Sequence, residues 1–446
     1  MVVGFTLTVV QGRWSERLVT AGVQCLIWTA GVAFGNALGG PALTALGPRV
    51  AVGRGVLIGL VDSAAASAWF PGQRLSVGAT FLLAAIVFTA AAEWETLSLR
   101  HVVPAVRLLL VGTSVGARNL IEDLQIGRGG GYELVGVVED HQREETEFAG
   151  APLLGNVAQL PSVVEAHLPD LVVLGPSASR PQVLLRLLDA AAAGFRVVEL
   201  TEFYEYAYGR VPVEDLPREW FLSVLHLYQR PYSRFTKRTL DIVGAGLLLL
   251  LTLPLFPLVA MLVHRTPGPV ILRQVRLGEH GRPFTIFKFR TMRADAEADG
   301  SAVWAVDHDP RLTPVGSVLR RFRIDELPQL WNVLRGEMSL VGPRPERPEF
   351  LGELAACVPY WTRRLLVKPG LTGWAQVRQG YAASAEATAY KLSYDFWYLR
   401  HRSLMVDLAV LLRTLAVVLR GDVSAAPWAA TPAAPAVAAH VGEPVD

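Results

Sequence analysis

Apolar and polar positions fall into three textures along this chain. Up to about residue 100 the apolar residues form long runs, Val19 to Leu38, Ala51 to Phe70 and Ser76 to Ala92, with few charges between them. Each approaches the ~20 residues that cross a bilayer, so residues 1–100 are expected to form transmembrane helices. Arg13, Arg17, Arg49, Arg54, Arg74, Arg100 and Arg107 lie at several of their ends, so the positive-inside bias does not settle their orientation.

From Arg107 the texture changes to short apolar runs alternating with helix-period segments. Leu108–Gly112, Tyr132–Val138, Asp170–Leu174 and Arg196–Leu200 read as strands, and Ala117–Ile126 and Arg180–Ala193 read as helices. Strand and helix in alternation predict a parallel sheet, a Rossmann-like domain over 105–205. The turn from Gly112 to Ala117 holds Gly116 but lacks the middle glycine that lets backbone approach a pyrophosphate. Glu139 follows the second strand where a carboxylate can hold a ribose, and no Tyr-x-x-x-Lys pair occurs. A regulatory or structural role therefore fits this domain better than nucleotide-sugar redox chemistry.

The third texture begins after a linker over 206–235. The apolar run Leu240 to Val263 carries Pro254 and Pro257 near its middle. Proline removes a backbone donor and clashes with the preceding turn, which predicts a kink or break at Pro254. Basic residues flank both ends, with Arg230, Arg234, Lys237 and Arg238 before and His264, Arg265, Arg273 and Arg276 after. Two basic flanks suit one anionic cytoplasmic surface, so residues 236–263 are expected to form a re-entrant membrane helix. Leu404 to Leu419 reads as an interfacial helix, because 16 residues is short for a span and Asp407 and Arg413 interrupt it. Residues 422–446, rich in Ala and Pro, read as a disordered tail.

Composition agrees with a membrane protein: 51% of residues are hydrophobic. The 42 basic residues include only four lysines, Lys237, Lys288, Lys368 and Lys391, all in the second half. Cys25 and Cys357 make neither a disulfide framework nor a metal cluster, which points to a reducing, cytoplasm-facing location. No charged n-region with a cleavage site is read at the start, and nucleic acid is not expected as a partner.

The reactive groups gather between Arg276 and Glu346. Lys288 and Arg290 lie at the end of a strand, Phe284 to Phe289, and offer a point charge and a planar fork for phosphate oxygens. Arg320 and Arg321 precede the adjacent carboxylates Asp325 and Glu326, and a Gly/Pro-rich loop carries Arg344 and Glu346. Asp325 is positioned to cap a helix whose buried stripe would be Leu327, Leu330, Trp331 and Leu334. A helix start also welcomes phosphate, aspartate is a nucleophile at phosphorus, and Mg²⁺ is held by one or two carboxylates plus substrate phosphates.

Taken together, Lys237-Arg238 with Asp241, Pro254, Pro267-Gly-Pro269, Lys288-Phe-Arg-Thr-Met292, Asp325-Glu-Leu-Pro-Gln329, Ser339-Leu-Val-Gly-Pro-Arg-Pro345 and Pro369-Gly-Leu-Thr-Gly-Trp-Ala-Gln376 resemble the bacterial polyprenyl-phosphate sugar-1-phosphate transferases, the monotopic phosphoglycosyl transferases. The resemblance covers roughly Tyr232 to Gly421, and the segments Glu202 to Glu205 and Gly209 to Pro212 resemble the large multi-domain exopolysaccharide form. It implies α plus α/β architecture: transmembrane helices, a CoA-binding-like parallel-sheet domain over 105–205, and a small α/β catalytic domain over 264–421 on the cytoplasmic face of the inner membrane. It further implies Asp325 as nucleophile, Glu326 as the Mg²⁺ ligand, and Lys288, Arg290, Arg320, Arg344 and Arg276 as phosphate-binding residues. The implied partners are a UDP-sugar, with glucose or galactose expected, undecaprenyl phosphate and membrane lipids, with homodimerisation left open. Glu337 and Leu253 stand where the family commonly has aspartate and serine, and three amino-terminal spans are read where it usually has four. A nucleotide-sugar oxidoreductase and a non-catalytic membrane scaffold are the rival functions.

Overall fold

The computed structural model describes residues 105–126, 131–139, 146–178, 181–190, 194–225, 235–296, 309–379 and 385–420. The expected amino-terminal spans and carboxy-terminal tail lie outside them. The chain divides into two compact units, residues 1–209 and 210–446.

In the first unit the strands β1 (Val106–Val111), β2 (Tyr132–Glu139), β3 (Glu147–Phe148), β4 (Ala151–Asn156), β5 (Leu171–Leu174) and β6 (Arg196–Glu199) form one sheet in the order β3-β4-β2-β1-β5-β6. All neighbours are parallel except β3, which pairs antiparallel with β4 at the edge. The predicted strands and both predicted helices, α1 (Val115–Gln125) and α3 (Pro181–Asp189), are present, and sequence reading missed β3, β4 and α2 (Leu160–His167). Helices cover both faces. Leu108 and Leu110 of β1 pack with α1 and with α4 (Leu200–Ala207), whereas Leu109 and Val111 pack with α2 and α3. Burial on two sides explains why β1 reads as an unbroken apolar run. Ser114 Oγ caps α1 by accepting from Ala117 N at 3.1 Å, and Thr113 Oγ1 donates to Glu139 Oε1 at 2.9 Å. The carboxylate considered for a ribose thus has a partner within the protein.

The second unit starts with the short helix α5 (Trp220–Leu225) and then the apolar pair α6 (Thr236–Thr252) and α7 (Leu255–His264). The pair breaks at Pro254 with a 64° bend, the kink that proline predicts. Among the described residues no single helix is long and apolar enough to cross a membrane, while α6 and α7 together meet that test by length and composition. Their flanks expose Val243, Leu247, Leu250, Leu251, Leu253, Leu258 and Met261. A contiguous apolar surface of this kind marks an interaction with lipid or protein.

The motif at the foot of α6 fastens it to the rest of the unit. Arg238 donates through both terminal nitrogens, at 2.7 Å each, to the carbonyls of Val333 and Leu334, closing the end of α9 (Leu330–Arg335). Asp241 accepts from Ser339 Oγ and Leu340 N, both at 2.9 Å, in β9 (Ser339–Val341). Lys237 pairs with the fully buried Asp407 of α13 (Leu404–Arg420), which also accepts from Tyr398 of α12 (Ala385–His401). Two cations expected to face lipid headgroups are therefore engaged inside the protein. Asp407 is satisfied there as well, which removes the lipid cost that sequence reading assigned to it.

Candidate functional site

An antiparallel hairpin forms the roof of the site. β7 (Ile271–Leu277) pairs with β8 (Pro283–Phe289) in a register that places Leu272 opposite Lys288 and Arg276 opposite Phe284. Side chains alternate along a strand and directly opposed residues share a face, so Lys288 and Arg276 project from the same side. Asn332 locks this hairpin to α9: its Nδ2 donates to Thr285 O and Glu337 Oε2 at 2.7 Å each, and its Oδ1 accepts from Phe287 N at 3.3 Å. Glu337, the residue that departs from the family's aspartate, thereby braces the loop.

The carboxylates lie in a 3₁₀ turn, Ile324–Gln329, that follows α8 (Pro314–Arg321) and packs under β8. Asp325 is not the helix cap that sequence reading allowed. The capping position is held by Arg323, whose backbone is left-handed at φ 53°, and no side-chain cap bond forms. With three residues per turn, neighbours in a 3₁₀ turn point ~120° apart, which separates the two carboxylates. The expected buried stripe also differs: Leu330, Asn332 and Val333 are buried and Trp331 is half exposed, because the turn shifts the phase of α9.

The two carboxylates have contrasting surroundings. Glu326 Oε1 lies 3.0 Å from Arg344 Nη2, and Oε2 lies 3.5 Å from Arg323 Nη1. Burial opposes its charge, but Arg344, Arg323 and Lys288 outweigh that and hold its pKa down near 2. Asp325, equally buried, makes no hydrogen bond or ion pair among the described residues. Burial, and then the charge of Glu326, raise its pKa to about 6 against the pull of Lys288, Arg320 and Arg344. Lys288 is lowered to about 8 by burial and by Arg344. Arg276 is likewise lowered, to about 10, by burial, with Glu346 opposing.

Asp325, Glu326, Lys288, Arg276, Arg320 and Arg344 are thus brought together. Arg290 is not. It is buried just past β8, and its guanidinium donates to the carbonyls of Val263, Thr266 and Pro269 at 3.1, 2.9 and 2.8 Å. The Val263 carbonyl belongs to the last turn of α7, where a cation is favoured by the helix dipole, and Thr266 and Pro269 lie in the turn that follows. The structure adds residues that sequence reading passed over. Arg323 was legible by its i,i+3 spacing from Glu326, but Arg364 gave no signal. Arg364 donates from Nε to Asp395 Oδ2 at 2.9 Å and from Nη2 to Arg344 O at 3.0 Å, and lies 3.6 Å from Glu346 Oε1. It anchors the loop that delivers Arg344.

The loop itself depends on contact between backbones. A Cβ on Gly370 of β10 (Gly370–Thr372) would lie 2.1 Å from Gly342 N, and one on Gly373 would lie 2.2 Å from Gly342 O. Glycine is required for so close an approach.

The sequence is also similar to those of known proteins. Residues 232–421 match the family model described as bacterial sugar transferase. The chain is similar to the UDP-galactose-lipid carrier transferase of Erwinia amylovora, 33% identical over 332 residues, covering 70% of this chain and 68% of that one. It is similar to the UDP-N-acetylgalactosamine-undecaprenyl-phosphate N-acetylgalactosaminephosphotransferase of Aeromonas hydrophila, 40% identical over 236 residues, 53% of this chain and 55% of that one. It also resembles the putative undecaprenyl-phosphate N-acetylgalactosaminyl 1-phosphate transferase of Bacillus subtilis, 49% identical over 156 residues, 34% of this chain and 87% of that one. The matched region spans about half the length of the Aeromonas relative. With a relative aligned over two-thirds of both chains and the motif-bearing half matched by the family model, this chain belongs to the bacterial sugar transferase family.

Proposed function

We propose that this chain transfers a hexose-1-phosphate from a UDP-sugar to undecaprenyl phosphate, releasing UMP, as the first membrane step of exopolysaccharide synthesis. One observation carries the reading: a buried carboxylate without a partner among the described residues, Asp325, stands beside a clamped one, Glu326, among the cations Lys288, Arg276, Arg320 and Arg344. The relatives, named for UDP-sugar and undecaprenyl-phosphate chemistry, supply the substrate class.

In the first step an Asp325 oxygen attacks the phosphorus that bears the sugar. The bond from that phosphorus to the oxygen shared with UMP breaks, and UMP leaves with the electron pair. Lys288, Arg320 and Arg344 hold the diphosphate oxygens and offset the charge that develops on them. In the second step a phosphate oxygen of undecaprenyl phosphate attacks the phosphorus of the aspartyl sugar phosphate, forming the lipid diphosphate sugar and regenerating Asp325. Glu326 stays anionic throughout, held by Arg344 and Arg323.

The donor set fits Mg²⁺. Each Glu326 oxygen accepts from one arginine and keeps a second lone pair, and Asp325 has both oxygens available. One or two carboxylates are enough for such an ion, because substrate phosphates complete its shell. When bound, the ion would orient the diphosphate and neutralise charge on the departing phosphate.

The bent α6–α7 pair, with its exposed apolar flank, is read as the re-entrant element that seats the domain on the cytoplasmic face of the inner membrane. The test is UMP release from a panel of UDP-sugars with undecaprenyl phosphate and Mg²⁺. Release by wild type that is lost in Asp325→Asn supports the reading and names the sugar; an active Asp325→Asn variant would overturn the covalent route.

A further inference from the structure

Of the four lysines in this chain, Lys391 lies on α12 at the edge of the site and is used by nothing described above. It is half-buried and makes no hydrogen bond or ion pair among the described residues. The two nearby carboxylates already have a cation. Asp395, one turn further along α12 on the same face, is 2.8 Å from Arg364 Nη2, and Glu346 is 3.6 Å from Arg364 Nη1. Both are therefore matched by a guanidinium more buried than Lys391 itself.

The charges facing Lys391 are Glu346 and Arg344 on the loop after β9, Arg364 on the 3₁₀ turn Trp361–Leu366, and Asp395 on its own helix. Those facing Lys288 are Arg344, Glu326, Arg276 and Asp325. The two sets share Arg344 alone, and Arg364, which pairs with Asp395 and donates to the Arg344 carbonyl, links the α12 face of Lys391 to the loop that carries Arg344. A half-buried ammonium with no fixed counter-ion, next to a second cation, is costly unless an anion arrives.

We propose that Lys391, together with Arg344, binds a second phosphate group of the substrates. This deepens the transferase reading and rests on it. That reading supplies two sources of such a group, the diphosphate of the nucleotide sugar and the phosphate of the lipid acceptor. Burial lowers Lys391 to about 8, with Arg344 and Arg364 adding to the shift and Glu346 opposing it. An arriving phosphate would restore the charged form.

The experiment uses the full chain in lipid nanodiscs, with inorganic pyrophosphate as the binding probe. Lys391→Gln is expected to weaken pyrophosphate binding about tenfold, the scale of one charge-assisted contact, and Lys391→Arg to stay within about twofold of wild type. Separate KM values then assign the phosphate: a rise for the UDP-sugar in Lys391→Gln places it in the donor, and a rise for undecaprenyl phosphate places it in the acceptor. Unchanged pyrophosphate affinity in Lys391→Gln overturns the proposal, as does equal loss in both variants with a lowered melting temperature, since that is a structural effect. The binding arm needs no turnover. A wild type that releases no UMP would sink the transferase reading while Lys391 is still judged by pyrophosphate.

Discussion

Arg344 holds Glu326 at 3.0 Å through a guanidinium whose own loop is tied down by Arg364. The arrangement commits one carboxylate of the pair to its ionised form and leaves its neighbour available.

Replacing Arg344 should be costly even when charge is kept. Lysine has no planar fork and cannot reproduce a contact to Glu326 while also facing a phosphate. Arg344→Lys is expected to lower kcat/KM for UMP release about a hundredfold, roughly two charge-assisted hydrogen bonds. A loss of less than threefold would show that the guanidinium is dispensable.

The pH profile follows from Asp325 and Lys288. Below about 6 the Asp325 carboxyl is protonated and cannot attack, so kcat/KM should rise as pH increases through that value. Above about 8 Lys288 loses its proton and its hold on phosphate, so the profile should fall again. The positive charge of Arg320 lowers the pKa of Asp325, and Arg320→Gln is therefore expected to move the acid limb to higher pH. An acid limb that stays in place would remove Arg320 from the surroundings of Asp325.

The pair between Lys237 and Asp407 fastens the foot of α6 to α13. Asp407 is fully buried and Lys237 is 16% exposed, so removing the carboxylate leaves a largely buried cation unmatched. Asp407→Asn is expected to destabilise the second unit by about 3 kcal/mol, and Lys237→Met/Asp407→Leu by less than the sum of its single changes. Chemical unfolding in detergent measures both, and additive effects would mean the two residues act independently.

Close backbone packing makes a sharper test of the Arg344 loop. Gly370→Ala would force a methyl to within 2.1 Å of Gly342 N and 2.3 Å of Thr372 O, neither of which can move without breaking the β9–β10 pairing. Folded protein should be lost. Gly246→Ala in α6 meets nothing within 4 Å and should be neutral or stabilising by up to about 1 kcal/mol.

The linear sequence determined the parallel-sheet unit and the break at Pro254, because both rest on local rules: apolar periodicity for β1, β2, β5 and β6, and a missing backbone donor in the helix. It also marked Asp325, Glu326, Lys288, Arg320 and Arg344, since those residue types at those spacings suit phosphate. Short strands such as β4 escaped it, having neither clean alternation nor a long apolar run. Only the tertiary structure decided how the marked residues divide. Arg290 closes a helix end and Arg276 joins the site, although the latter lies in the hairpin and the former directly follows it. Glu326 is clamped and Asp325 is not, although they are adjacent carboxylates. Arg364 and Lys391 enter from elements 20 and 47 residues beyond Arg344. Charge in a site depends on which neighbours share its low-dielectric surroundings, and those neighbours are chosen by the folded chain rather than by sequence separation.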